Sequence, residues 1–143
     1  MMTYPQRGEV WLVDFDPARG HEIRKTRPAV IIQNNIGNRH SRLTIVAANT
    51  SKVSATPYPV DVAVVSRKGT GLTKPSVINL SQIRSVDRER LLRRLGALDA
   101  ATMRKVDGAL RISLGLGDRR QVSGVNRRAN AADQKARVRG LHQ

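Results

Sequence analysis

The fold is decided by GHEIRKTRPAVIIQ, residues 20–33. The second half predicts a buried strand, because Ala29 to Ile32 form a continuous apolar run in which β-branched residues dominate. Pro28 opens this run at the first strand position, where a missing N–H does least harm. The first half places an imidazole, a carboxylate and several cations on the loop that leads into the strand. Polar side chains on a rigid element commonly form functional sites, so we expect one here.

Further strands are predicted on both sides of this one. In residues 10–15, Trp11, Val13 and Phe15 fall on one face and the intervening residues on the other. Residues 43–51 predict a third strand and residues 60–65 a fourth, in which Asp61 suggests a sheet edge. Residues 76–86 predict one long strand, or two with a kink, at which the β part should end.

Two helices are expected after the strands. Asp87 is a candidate N-cap for a short helix through Leu92, and Asp99 for a longer one that stops at Gly115. In the longer helix, residues 103, 106, 110 and 114 form an apolar stripe. The pattern predicts an α+β fold, a compact, partly closed antiparallel β-barrel with C-terminal helices, over residues 1–116. Residues 117–143 are polar, basic and aperiodic, so we interpret them as a disordered tail.

Charge is the strongest compositional signal. The 143 residues contain 26 Lys plus Arg and 11 Asp plus Glu, a formal net charge of +15. The tail holds seven basic and two acidic residues, so the rest still carries +10. Positive charge on this scale favours a polyanionic partner such as nucleic acid, although ordinary solubility charge is the alternative.

Other features of the composition narrow the classes of protein and site. The chain has no cysteine, which excludes disulfides, thiolate nucleophiles and cysteine-based zinc sites. Residues 1–8 lack the apolar segment of a signal peptide, and no run approaches the ~20 apolar residues of a membrane span. We therefore expect a cytoplasmic protein without a membrane association.

The loop before the central strand carries the first candidate chemistry. Arg27 stays protonated and offers a planar set of donors suited to phosphate, although a surface arginine paired with an acid is the alternative. His21 exchanges protons near neutral pH, and Glu22 is a candidate base or a partner for a cation. Thr50, at the end of a predicted strand, offers a hydroxyl to a phosphate oxygen. None of these residues is specific alone.

A second group is suited to contact nucleic acid. Amides such as Gln33, Asn34 and Asn38 donate and accept together, as reading of base edges requires, but they are equally typical of turns. We expect recognition in the loops at residues 34–42 and 66–75. The candidate RNA contacts are Gln33, Asn34, Asn38, Arg39, Lys74, Gln82 and Arg84.

No metal site is predicted, because neither the histidines nor the acidic residues show ligand spacing. A nuclease without a metal depends on RNA, whose 2′-hydroxyl is a built-in nucleophile. Such an enzyme needs a base for that proton, cations for the phosphorane and an acid for the leaving 5′-oxygen. A His or Glu with one or two Arg is sufficient. Cofactors are not expected.

Several blocks together resemble the MazF/PemK (Kid) family of toxin endoribonucleases. The resemblance covers roughly residues 7–116, and it is specific because independent blocks occur in the family's order. These blocks are Arg7–Trp11, Gly20–Glu22, Thr26–Val30, Asn49–Ser51 and Gln82–Asp87.

The resemblance implies a barrel similar to an SH3 domain, a homodimer, and metal-independent, sequence-specific cleavage of single-stranded RNA to 2′,3′-cyclic phosphate and 5′-hydroxyl ends. It also implies an acidic, MazE-like antitoxin that covers the basic surface. Arg27 and Thr50 match the family's catalytic positions. Glu22 and His21 match positions of a general base or an RNA contact, and Gln82 lies near the RNA path.

The chain also departs from the family. Asn49 replaces an apolar residue before the threonine, and Asn79 and Ser81 replace an arginine and an aspartate of the Kid branch. The basic tail has no family counterpart. Two other functions stay open: a non-catalytic nucleic-acid binder, and a toxin similar to CcdB that acts on gyrase.

Overall fold

The structure is a computed structural model that describes residues 4–22, 25–51, 59–64 and 68–117. Within these residues, six strands form one antiparallel sheet in the order β4-β5-β3-β2-β1-β6. Apart from Gly117, the tail predicted at 117–143 lies outside the described residues, so the domain boundary stays a prediction. The elements are β1 (Glu9–Asp14), β2 (Thr26–Ile31), α1 (Asn35–His40), β3 (Leu43–Thr50), β4 (Asp61–Val64), β5 (Ser76–Asp87), β6 (Leu91–Ala97) and α2 (Ala100–Leu114).

The central strand β2 is buried on both faces, as its apolar run predicts. Val30 and Ile32 pack into a core that includes α2, and Ala29 and Ile31 pack into a second core on the other face. All four side chains are buried. Trp11, Val13 and Phe15 contribute to the second core from β1 and its end, which confirms the predicted alternation. The α+β class is confirmed.

The beginning of β2 differs from the prediction. The strand starts at Thr26, so Arg27 and Pro28 lie inside it and pair with Val13 and Leu12 of β1. Pairing of β2 with β3 begins only at Ala29. Pro28 is tolerated because it precedes the residues that pair on that second side. Arg27 is therefore held by a strand ladder instead of a loop.

A strand at Leu91–Ala97 was not expected. Asp87 does cap a helical turn, accepting a hydrogen bond from the Glu89 N–H, but this turn is a 3-10 turn of only three residues, Arg88–Arg90. The predicted helix through Leu92 is wrong, and the chain continues as β6 along β1. Leucine and arginine are good helix formers, so local propensity favoured the helix and pairing with β1 overrode it.

Strand β5 has features of both predictions for residues 76–86, one long strand and two strands with a kink. It is one strand of 12 residues, yet its pairing with β3 shifts register between Ala47 and Asn49. Ala47 pairs with Ile83 and Asn49 with Ile78, so β5 contributes the extra residues. Strand β4 lies at the sheet edge, as Asp61 suggested.

Both helices flank the sheet. Asp99 caps α2 by accepting from the Thr102 N–H at 2.7 Å, and Gly115 ends it with a φ of 71°, as predicted. Val106 of the predicted stripe is buried, whereas Leu114 is exposed. Neither helix in the part of the chain that the structure describes has the length and hydropathy of a bilayer-spanning segment.

Contacts between the β4–β5 connection and β6 partly close the sheet. The Ala97 N–H donates to the Gly69 carbonyl at 2.9 Å. Gly71 has a φ of +76°, and a Cβ on it would lie 2.2 Å from the Leu95 carbonyl oxygen. The described part of this connection therefore lies directly on β6, although β4 and β6 do not pair, and the fold is barrel-like without a closed sheet.

Candidate active site

A cavity of about 380 Å³ brings together Arg27, Thr50 and Lys74, three of the residues expected from the sequence, and adds Arg93. We call it the arginine cavity. Its lining comes from β1, β2, the end of β3, the connection before β5, and β6. The other lining residues are Leu12, Thr26, Pro28, Asn49, Ser51, Gly71, Leu72, Thr73, Pro75, Ser76 and Leu95.

Strand register explains why Arg27 and Thr50 reach the same cavity. Ala29 of β2 pairs with Ala48 of β3, and the same register continued by two residues brings Arg27 opposite Thr50. Both residues are half-buried where the two strands diverge. Their backbones are fixed by the sheet, so their side chains are presented from a rigid support.

Among the described residues, the charged side chains that line the arginine cavity are all cations. Arg27, Lys74 and Arg93 line it, and no Asp or Glu appears among the described residues of the lining. Five hydroxyls, those of Thr26, Thr50, Ser51, Thr73 and Ser76, add uncharged donors. Guanidinium and hydroxyl donors without a competing carboxylate are suited to bind a phosphate and to stabilise charge that develops on it.

Asn49 ties the end of β3 to the start of β5. It is only 2% exposed, and its Nδ2 donates to Ser76 Oγ at 3.2 Å. Its Oδ1 is buried and accepts no hydrogen bond from the described residues. This polar residue immediately precedes Thr50.

The two candidate bases lie at a different concavity, of about 440 Å³, which we call the histidine cavity. His21 and Glu22 line it together with Gln82 and Arg84; Phe15, Ser81 and Ile83 complete the lining. Both candidate bases are exposed, and Glu22 Oε1 accepts from the Arg19 N–H at 2.6 Å. The structure therefore does not bring His21 and Glu22 into the arginine cavity.

Arg84 has a structural contact beside its place in the histidine cavity. Its Nη1 donates to the Phe15 carbonyl at 2.9 Å, while Nη1 of Arg90 donates to the Asp14 carbonyl at 3.0 Å. On the loop itself, the Lys25 N–H donates to Asp16 Oδ1 at 2.9 Å. These contacts fix the base of the loop that carries His21 and Glu22.

The amides expected to read bases instead hold α1 in place. Asn34 caps the helix by accepting from the Gly37 N–H at 2.8 Å. Asn38 is fully buried; its Oδ1 accepts from Thr44 Oγ1 at 2.7 Å and from Gln33 Nε2 at 3.1 Å. The turn-forming alternative therefore describes these amides better, and burial leaves Asn38 no surface for RNA. Arg39 is exposed on α1.

Arg93 was missed because the sequence predicted no strand there, only a helix ending at Leu92 and another capped by Asp99. As a strand residue paired with Leu12, it reaches the arginine cavity. The signal that could have found it is weak, since two adjacent arginines are common on exposed helices.

A family model described as the PemK-like, MazF-like toxin of type II toxin-antitoxin systems matches residues 6–114. The chain belongs to this family. The match covers all strands and ends at the last residue of α2, so both cavities of this MazF-like toxin lie inside it. The family resemblance of the sequence blocks is confirmed.

Solved structures support the same assignment. MazF from Deinococcus radiodurans superposes with a TM-score of 0.68 at 28% identity, over 80% of this chain and 99% of that one. An endoribonuclease from a mycobacterial species gives 0.67 at 27% identity, over 82% and 98%. An endoribonuclease in complex with its cognate antitoxin, also mycobacterial, gives 0.66 at 27%, over 80% and 98%.

Proposed function

We propose that this MazF-like toxin is a metal-independent endoribonuclease that cuts single-stranded RNA, chiefly mRNA, at specific short sequences. The arginine cavity is the observation that carries this proposal, because Arg27 and Thr50 converge there without an acidic residue in the described lining. Membership of the toxin family and the likeness to two mycobacterial endoribonucleases support the same reaction.

The reaction follows from the chemistry of RNA. The ribose 2′-oxygen attacks the adjacent phosphorus, the new P–O2′ bond forms, and the P–O5′ bond breaks. The products are a 2′,3′-cyclic phosphate and a 5′-hydroxyl. Arg27 and Thr50 donate to the phosphate oxygens and stabilise the phosphorane, and Arg27 also assists the departing 5′-oxygen. The guanidinium of Arg27 is already protonated at physiological pH, so it cannot accept the 2′-proton and is not the general base.

Glu22 or His21 accepts the 2′-proton in this proposal. Glu22 precedes Arg27 by five residues, which span at most about 18 Å when extended. The 2′-oxygen lies next to the scissile phosphate, so in this proposal the loop brings Glu22 or His21 to the arginine cavity when RNA binds. Catalytic hydrogen bonds often form only once the substrate is bound, so separate cavities in the free protein are compatible with a shared reaction.

The remaining RNA contacts are assigned by position. Lys74 lines the arginine cavity, and Gln82 and Arg84 line the histidine cavity, so all three lie along an RNA path between the two cavities. Gln33 and Asn34 bond to α1 and remain candidate contacts at its start. Arg39 stays a candidate for a peripheral phosphate.

We also propose the partners that the family and the charge imply. A cognate acidic, MazE-like antitoxin would neutralise a chain of charge +15, as a cognate antitoxin binds the mycobacterial relative. A homodimer would sediment at about twice the chain mass of 15.8 kDa. We propose that the protein acts in the cytoplasm, where mRNA is available to it.

One assay tests the proposal. The purified protein is incubated with a long single-stranded RNA in EDTA, and the termini of the fragments are analysed. Discrete fragments with cyclic-phosphate ends are the expected result. Binding without cleavage would replace the proposal by a non-catalytic nucleic-acid binder, and absence of any RNA interaction would favour a gyrase-directed toxin.

A further inference from the structure

Strand β6 carries two adjacent arginines with different surroundings. Arg94 pairs with Trp11 in the ladder, and its Nε donates to Glu9 Oε2 at 2.7 Å. Arg93 pairs with Leu12 and lines the arginine cavity. Arg94 is therefore neutralised by a carboxylate, whereas Arg93 belongs to a basic lining.

The cavity holds Arg93 and Lys74 together through backbone contacts. A Cβ on Gly96 would lie 2.3 Å from the Gly69 carbonyl oxygen, and a Cβ on Gly71 would lie 2.2 Å from the Leu95 carbonyl oxygen. The connection that contains Lys74 therefore contacts the strand that carries Arg93. Two cations from distant parts of the sequence thus share one wall of the cavity.

This wall lies apart from the pair assigned to the cleaved phosphate. Leu12 of β1 pairs with Pro28 on one side and with Arg93 on the other. Two strand spacings, about 10 Å, therefore separate the backbone of Arg93 from that of β2 beside Arg27. A single RNA strand presents a phosphate at every nucleotide, so a strand whose scissile phosphate is held by Arg27 and Thr50 brings a neighbouring phosphate toward this wall.

We propose that Arg93, together with Lys74, binds the phosphate next to the scissile one. The assignment rests on the proposed function and adds a substrate-binding residue to it. Arg93 contacts a group that does not react, so it stabilises the bound substrate and the transition state equally. Loss of Arg93 should therefore raise KM and leave kcat nearly unchanged, whereas loss of Arg27 should lower kcat.

The test compares Arg93→Gln with Arg94→Gln, which removes the same charge one residue away from a side chain that pairs with Glu9 and does not line the arginine cavity. Binding is measured with an RNA oligonucleotide that carries a 2′-deoxy sugar at the cut position, over a series of KCl concentrations, and cleavage kinetics are measured on the all-ribose strand. For single strands each lost phosphate contact lowers the slope of log K against log salt by about 0.7.

We expect Arg93→Gln to lower that slope by about 0.7, to raise KM about tenfold and to change kcat less than about threefold. Arg94→Gln should retain the wild-type slope, and Arg93→Gln combined with Lys74→Gln should lower the slope twice as far. Thermal unfolding of each variant confirms that it is folded.

Equal slopes and KM values for Arg93→Gln and Arg94→Gln would overturn the assignment of Arg93. The proposed function would still hold in that case if the wild-type protein cleaved RNA. A loss of kcat on the scale of a catalytic donor would also overturn it, because Arg93 would then act on the reacting phosphate. If the wild-type protein cleaved no RNA, both the function and this inference would be wrong.

Discussion

Replacing the buried Asn49–Ser76 pair by apolar residues should stabilise the protein. Asn49 Oδ1 is buried and has no partner among the described residues, which costs about 1–3 kcal/mol, whereas the bond from its Nδ2 to Ser76 Oγ contributes only about 0.5–1.5 kcal/mol. The double variant Asn49→Val/Ser76→Ala removes both terms. It should therefore gain about 1 kcal/mol in the free energy of unfolding.

The single variants should behave differently. Ser76→Ala leaves the amide with two unpaired polar atoms and should cost about 1–3 kcal/mol. Asn49→Val removes the unpaired oxygen but leaves the Ser76 hydroxyl, which is 8% exposed, without its partner, so its effect should be close to zero. Urea unfolding at a fixed protein concentration measures all three, since a dimer would make stability depend on concentration. A neutral Ser76→Ala with a destabilised double variant would refute the reasoning.

Three further predictions concern single residues. Arg27→Ala should lower kcat about 10²-fold to 10³-fold in an RNA-cleavage assay while the protein stays folded; wild-type activity would contradict its role. Gly71→Ala should lower Tm strongly because its Cβ would overlap the Leu95 carbonyl, and an unchanged Tm would count against that contact. The backbone hydrogen bond from Thr102 lowers the pKa of Asp99, so its stabilisation is complete above the ordinary carboxyl pKa and is lost as the pH falls through the lowered value. Asp99→Asn, which keeps the cap but cannot titrate, should therefore lose less stability than wild type between pH 7 and pH 3 in thermal melts.

The elements that could be predicted from the sequence are those whose apolar pattern or capping residues lie within the element itself. Ala29 to Ile32 are apolar at four successive positions, and the strand they form is buried on both faces. Asp99 and Gly115 carry capping chemistry that is local by nature, so the limits of α2 followed directly. Strand β6 could not be predicted in this way, because its leucines and arginines favour a helix. They form a strand only because they pair with β1, about 80 residues earlier in the chain.

The candidate site was predictable in its residues more than in its arrangement. Arg27 and Thr50 were found separately, and only the β2–β3 register places them opposite each other. His21 and Glu22 were expected beside them but line a second cavity, because the loop between β1 and β2 follows its own backbone contacts. The burial of Asn38 was not predicted, because an amide residue can be buried or exposed and the sequence alone does not distinguish the two.

The central claim is that the ribose of the substrate supplies the nucleophile. Its most direct test uses two RNA strands that differ only by a 2′-deoxy sugar at the mapped cut position, incubated with the wild-type protein in EDTA. The account predicts that the all-ribose strand is cut to a cyclic phosphate while the substituted strand stays intact at that position. Cleavage of the substituted strand there, or a requirement for a divalent ion with the all-ribose strand, would contradict it.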